Sequence, residues 1–169
     1  MTPEYKFYHG AVLAELVDRS KRAITIDELT EYGRLSSYVL NGNIGIYVKH
    51  SAQRLHPWPF TFTRPNLVEL LRLQSICDEV FLVLVCEADG MVCLAMNEAV
   101  ELLQPTSSDQ AWLRVDRKRG EWYAVASGGG GLPYKRPKGI DLVLRALDRP
   151  DMSTADGYVA ANAKDTSTR

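Results

Sequence analysis

Apolar residues recur at helical spacing over residues 5–17, where Tyr5, Tyr8, Val12, Leu13, Leu16 and Val17 are separated by charged positions. The chain is expected to begin with an amphipathic helix that ends before Ser20 and covers one face of a sheet. A short segment at 23–26 leads into Asp27-Glu28-Leu29-Thr30-Glu31, read as a helical turn or a loop closed by Gly33. Residues 37–40 and 44–50 are β-rich and flank Asn41-Gly42-Asn43. Asn and Gly both tolerate positive φ, so this pattern predicts a tight antiparallel hairpin. After Pro57-Trp58-Pro59 breaks the pattern, Phe60-Thr61-Phe62-Thr63 alternates as a short third strand should.

Pro65 suits a first helical turn, where its missing N–H costs nothing, and Leu67, Val68, Leu70, Leu71, Leu73 and Ile76 make a wide apolar helix face. The run at 80–86 has no polar alternation, which marks a central strand buried on both faces. Asp89-Gly90 turns the chain into a strand at 91–95, and Asn97 is the expected N-cap of a short helix through Leu103, stopped by Pro105. Segments 111–115 and 121–125 form a second hairpin across the charged turn 116–120. Residues Gly128 to Gly131 read as a flexible joint, and 140–147 as a last short helix. From Arg149 onward the composition turns small and polar, the pattern of a disordered tail. The sum is an α/β protein: a single mixed β-sheet flanked by helices, with a helix-strand-strand-strand-helix-strand core and a C-terminal β-hairpin. One domain is expected over residues 1–148, with the tail over 149–169.

Composition narrows the partners. A chain of 169 residues, 46% of them hydrophobic, can bury one proper core. A formal charge of −1 argues against wholesale coating of DNA or of an anionic membrane, so a polyanion contact has to come from a patch. Cys77, Cys86 and Cys93 form no CxxC pair, which fits buried thiols better than a zinc site or a disulfide framework. Met1-Thr2-Pro3-Glu4 starts no basic-then-apolar leader, and the longest apolar run is too short for a bilayer. A soluble cytoplasmic protein without a membrane partner is the expectation.

The patch emerges from residue order. From Tyr32 to Val68 there is no Asp or Glu, while Arg34, Lys49, His50, Arg54, His56 and Arg64 all fall inside the run. Cations interleaved with Tyr47 and Trp58 suit the phosphates and bases of nucleic acid, DNA more than RNA. Trp58 between two prolines reads equally as a core plug. Arg114, Arg117, Lys118 and Arg119 form a second basic cluster at a hairpin tip, and Lys135, Arg136 and Lys138 a third. Each is first of all a solvated turn, and would extend the patch if it lay on the side of Lys49. The glycine run lacks a following Gly-Lys-Ser/Thr and is no phosphate-binding loop.

Period-two alternation over 44–51 puts Gly45, Tyr47, Lys49 and Ser51 on one face and Ile44, Ile46, Val48 and His50 on the other. With the element order of residues 5–93, the segment Ile46-Tyr47-Val48-Lys49-His50-Ser51 resembles the PD-(D/E)XK superfamily of restriction-endonuclease-like and Holliday-junction-resolvase-like nucleases. The resemblance implies an acid-x-Lys pair and a second acid on the preceding strand that hold magnesium, with the lysine stabilising charge at the phosphate. Here Tyr47 stands in the acid's place, Asn41 or Asn43 near the other, and Lys49 alone matches. Neutral side chains do not compensate a hard divalent cation.

The reading is therefore a nucleic-acid-binding protein with a nuclease-like core that lacks the usual metal-binding acids and needs no cofactor. DNA defence or repair is the expected setting. Its contacts would be Tyr47, Lys49, His50, Arg54, His56, Trp58 and Arg64, and a homodimer through the C-terminal hairpin would suit a two-fold duplex. Two alternatives stay open. One is an active magnesium-dependent phosphodiesterase with Lys49 and Glu15 as catalytic residues, Glu15 matching the helical glutamate of some members and Asp27, Glu28 or Glu31 coming near the sheet edge. The other is a non-enzymatic interaction module that docks a protein partner through loop 55–62.

Overall fold

The computed structural model describes residues 1–29, 36–104 and 110–150. The first helix forms as α1 (Glu4–Arg19) and buries His9, Val12 and Leu16, whereas Val17 turns to solvent. The acidic segment after it is a strand, β1 (Ile26–Glu28), paired antiparallel with β2 (Ser37–Leu40), so Asp27 and Glu28 lie at a sheet edge. Thr30, Glu31 and Gly33 lie outside the described residues. β2 and β3 (Ile44–Ser51) make the expected hairpin, with Leu40 opposite Ile44. Asn41 and Gly42 supply the two left-handed residues the turn demands, at φ 48° and 75°.

The third expected strand exists as β4 (Trp58–Phe62) but joins a different sheet. A strand has only two edges, and both of β3 are taken: β2 pairs with one, and the other pairs in parallel with β5 (Glu79–Cys86), reached through α2 (Arg64–Ile76). β6 (Gly90–Ala95) closes the first sheet antiparallel to β5, in the order β1-β2-β3-β5-β6. β4 instead pairs antiparallel with β7 (Ala111–Asp116), followed by β8 (Ala124–Ser127) and β9 (Gly130–Gly131). The α/β class holds, with two sheets in place of one. The glycine run is no joint: Ser127 pairs with Gly130 and Ala126 with Gly131 across a tight turn.

α3 (Met96–Leu102) is capped two residues earlier than expected. Ala95 is the N-cap, and the Glu98 carboxylate accepts its backbone N–H at 2.9 Å. α4 (Asp141–Asp148) stands where the last helix was expected, and residues 151–169 of the anticipated tail lie outside the described residues. No helix among the described residues is long and apolar enough to cross a membrane.

The first sheet divides two apolar clusters. Leu82 and Leu84 of β5 face Tyr47, Phe60, Phe62, Leu73 and Leu113, between the sheets. Phe81, Val83 and Val85 face Val12 and Leu16 of α1 and Val143 of α4. Each such side chain contributes about 1.5–3 kcal/mol by leaving water. β5 serves both clusters, as its unbroken apolar run foretold.

Candidate functional site

Tyr47 and Lys49 share a face, as alternation requires, and that face looks toward α2 and the second sheet. Tyr47 is wholly buried, its ring 6.5 Å from that of Phe62. Its hydroxyl donates to Glu69 Oε2 at 3.4 Å, and Ser37 Oγ donates to Glu69 Oε1 at 2.8 Å. Lys49 Nζ donates to Asn66 Oδ1 at 3.2 Å and lies 5.3 Å from the centre of the Phe62 ring. Asn66 Oδ1 also accepts from Thr63 N at 3.0 Å and Thr63 Oγ1 at 3.1 Å, capping α2. The result is a polar knot that ties α2 to β2 and β3.

Burial raises the pKa of Glu69, and hydrogen bonds from Ser37, the Ser36 backbone and Tyr47, with the charge of Lys49, work against that rise. The Tyr47 phenol is pushed up by burial and then by the Glu69 charge. Sequence reasoning missed Glu69 and Asn66 because the helix was read by its leucines. The acid-free run ends at Glu69, three residues after Asn66, and that spacing was the available signal.

Several expected contacts are corrected by burial. Tyr47 offers nothing to a ligand from outside. Trp58 is 3% exposed and packs 6.2 Å from the Tyr123 ring, so it has no open face for a base; it is the plug weighed as its other reading. His50 points to the other side of the sheet and stacks on Tyr8 at 4.4 Å. Glu15 lies on α1, across the sheet from Lys49, and pairs with Arg19 at 3.5 Å, so the two proposed catalytic residues do not meet. Among the described residues no three His, Cys, Asp or Glu side chains converge as a metal would need. Cys86 and Cys93 are buried in apolar surroundings that raise their thiol pKa, and Cys77 is raised too, which disfavours thiolate chemistry.

Other exposed side chains line the outer face of the second sheet. Along β7, Trp112 and Arg114 point to solvent between buried Ala111, Leu113 and Val115. Thr61 lies opposite Trp112 and Pro59 opposite Arg114. Loop 52–57 borders this face, since His56 Nδ1 sits 2.6 Å from Asp116 Oδ1. Exposed Arg54, Arg114, Lys118 and Arg119 make no ion pair among the described residues. Arg64 is exposed at the start of α2.

Arg117, Lys135 and Arg136 are instead committed to acids. Arg117 grips Asp89 with two donors, one at 2.9 Å, and Tyr123 donates to the same carboxylate at 2.5 Å. Lys135 pairs with Glu121, and Arg136 with Glu98. Alternation in Ala111-Trp112-Leu113-Arg114-Val115 places Trp112 and Arg114 on one face, and that was the available signal.

No family model, no curated protein and no solved structure matches the chain.

Proposed function

We propose that this is a nucleic-acid-binding protein that meets phosphates on the outer face of its second sheet, around Arg54 and Arg114. The observation that carries the reading is the set of exposed cations, Arg54, Arg114, Lys118 and Arg119, without an ion pair among the described residues. Cations not already neutralised by carboxylates release phosphate counterions on binding, and that release supplies most non-specific affinity. Lys49 is engaged beneath α2 and takes a structural part. A restriction-endonuclease-like origin, with a place in DNA defence or repair, belongs to the same proposal. The order of helix, hairpin, helix and parallel strand supports it, and the departure of β4 to a second sheet weighs against its single-sheet form. With Tyr47 in place of an acid and Glu69 engaged by Ser37 and Tyr47, the protein binds and does not cut.

The test is fluorescence anisotropy of labelled DNA and RNA across a salt series, with magnesium present or chelated. Affinity should fall steeply with salt, and Arg54→Ala and Arg114→Ala should each lower the salt slope by about one. Lys49→Ala should leave the slope unchanged. Absence of binding at low salt sinks the reading, and cleavage that a chelator abolishes would favour the active nuclease.

A second reading, a protein-interaction module, is favoured by α2. Val68, Leu71 and Ile76 of the expected apolar face are exposed, Leu71 to 57%. Leu71, with Val100 of α3, borders an apolar groove of about 210 Å³ between the two helices, lined also by Leu67, Met96 and Leu103. Binding there would be insensitive to salt and lost in Leu71→Glu.

A further inference from the structure

Resting on the nucleic-acid reading, we propose that Trp112 is a stacking platform for an unpaired base, which makes single-stranded nucleic acid the preferred ligand. The indole is half exposed, at 49%. The β8–β9 turn stands beside it, for a Cβ built on Gly128 would lie 3.4 Å from Trp112 Cζ2, at ordinary van der Waals distance. Across the strand pair stands Thr61, too small to cover the ring.

Trp112 is the shared wall of two open depressions. One, of about 340 Å³, is lined on its far side by Gln104, Ser127 and the turn glycines, with Glu101 at its edge. The other, of about 480 Å³, runs past Thr61 and Pro59 to Arg114 and Gln53. A ring standing between two recesses gives a flat base room on either side, and base–aromatic stacking tolerates any sequence because every base has a π-face. The two sides differ in charge. Glu101 disfavours phosphate in the first recess, and Arg114, about 6.8 Å farther along β7 at two residues' rise, offers a phosphate contact in the second. The strand thus has a polarity: base on Trp112, backbone on Arg114 and toward Arg54.

A duplex keeps its bases stacked inside and would have to expel one to reach a side chain on an open sheet face, whereas a single strand presents its bases freely. The surface therefore discriminates by strandedness through one aromatic residue.

The experiment compares labelled oligothymidylate with a blunt duplex of equal length, using the full chain as wild type, Trp112→Ala, Trp112→Phe and Arg114→Ala. The single strand should bind more tightly than the duplex. Trp112→Ala should weaken it by roughly 5- to 100-fold while leaving duplex affinity unchanged, and Trp112→Phe should restore most of the loss. Quenching of indole fluorescence by the single strand, lost in Trp112→Ala, would report the stack directly. Equal binding of both forms with no effect of Trp112→Ala, alongside a weakened Arg114→Ala, overturns the platform and leaves the phosphate face standing. Absence of binding to either form overturns both.

Discussion

The phenol of Tyr47 reaches the carboxylate of Glu69 across 3.4 Å of protein interior, joining a strand of the first sheet to the helix laid over it. Glu69 is 4% exposed, and Ser37 donates to its other oxygen. Glu69→Ala would strand two buried donors at a cost of about 1–3 kcal/mol, read as a lower urea midpoint.

The same carboxyl gives a pH signature. Folding raises its pKa above the unfolded value through burial, so the folded state binds its proton more tightly. The stabilisation is complete below the ordinary carboxylate range and is lost as pH rises through the raised value. Glu69→Gln should lack that decline, and urea titrations of both proteins from pH 4 to pH 8 would show two curves that diverge with rising pH.

His9 acts with the opposite sign. Burial, with His50 nearby, lowers its pKa from 6.5 to about 4, while its ring nitrogen sits 2.9 Å from the Tyr38 hydroxyl. The unfolded chain binds the proton first, so stability is fully present above pH 6.5 and falls as pH drops toward 4. The loss reaches up to about 3 kcal/mol. His9→Gln should flatten this slope in chemical denaturation between pH 7 and pH 4.5.

Gly45 lies against Leu73, whose Cγ would be 2.7 Å from an added Cβ. Gly45→Ala should cost about 1–3 kcal/mol by overpacking. Pairing it with Leu73→Ala should recover part of that cost, and a double-mutant cycle in urea would return a coupling energy well above zero.

Asp89 ties the β5–β6 turn to the second sheet through Arg117 and Tyr123. Burial works to raise its pKa, but the hydrogen bonds and the Arg117 charge outweigh it and hold the carboxyl low. Its stabilisation is present above the ordinary Asp range and lost as pH falls through the depressed value. Asp89→Asn should cost about 1–3 kcal/mol at pH 7 and progressively less as pH falls below the ordinary Asp range, as thermal melts along that series would show.

What the sequence disclosed follows the range of the forces involved. The Asn41-Gly42 turn and the apolar run of β5 are set by neighbours in the chain, and both were legible. The partner of β4 was not, because Ala111–Asp116 lies beyond a helix, two strands and a second helix, and no local pattern names it. α2 misled for another reason. Its burial is decided by Ser37, Tyr47 and Lys49 arriving from the sheet, which draws Asn66 and Glu69 inward and leaves Leu71 outside. Arg114 and Trp112 were visible as residues, but their common face became plain only once β4 was seen to pair with β7.

β5 sends side chains into both apolar clusters, with β3 on one edge and β6 on the other. Loosening either layer of helices still leaves its amides locked by the opposite layer. In deuterated water those amides should exchange last of all, at the rate set by global unfolding, while α1 and α4 on one side and α2 and α3 on the other exchange through separate, smaller openings.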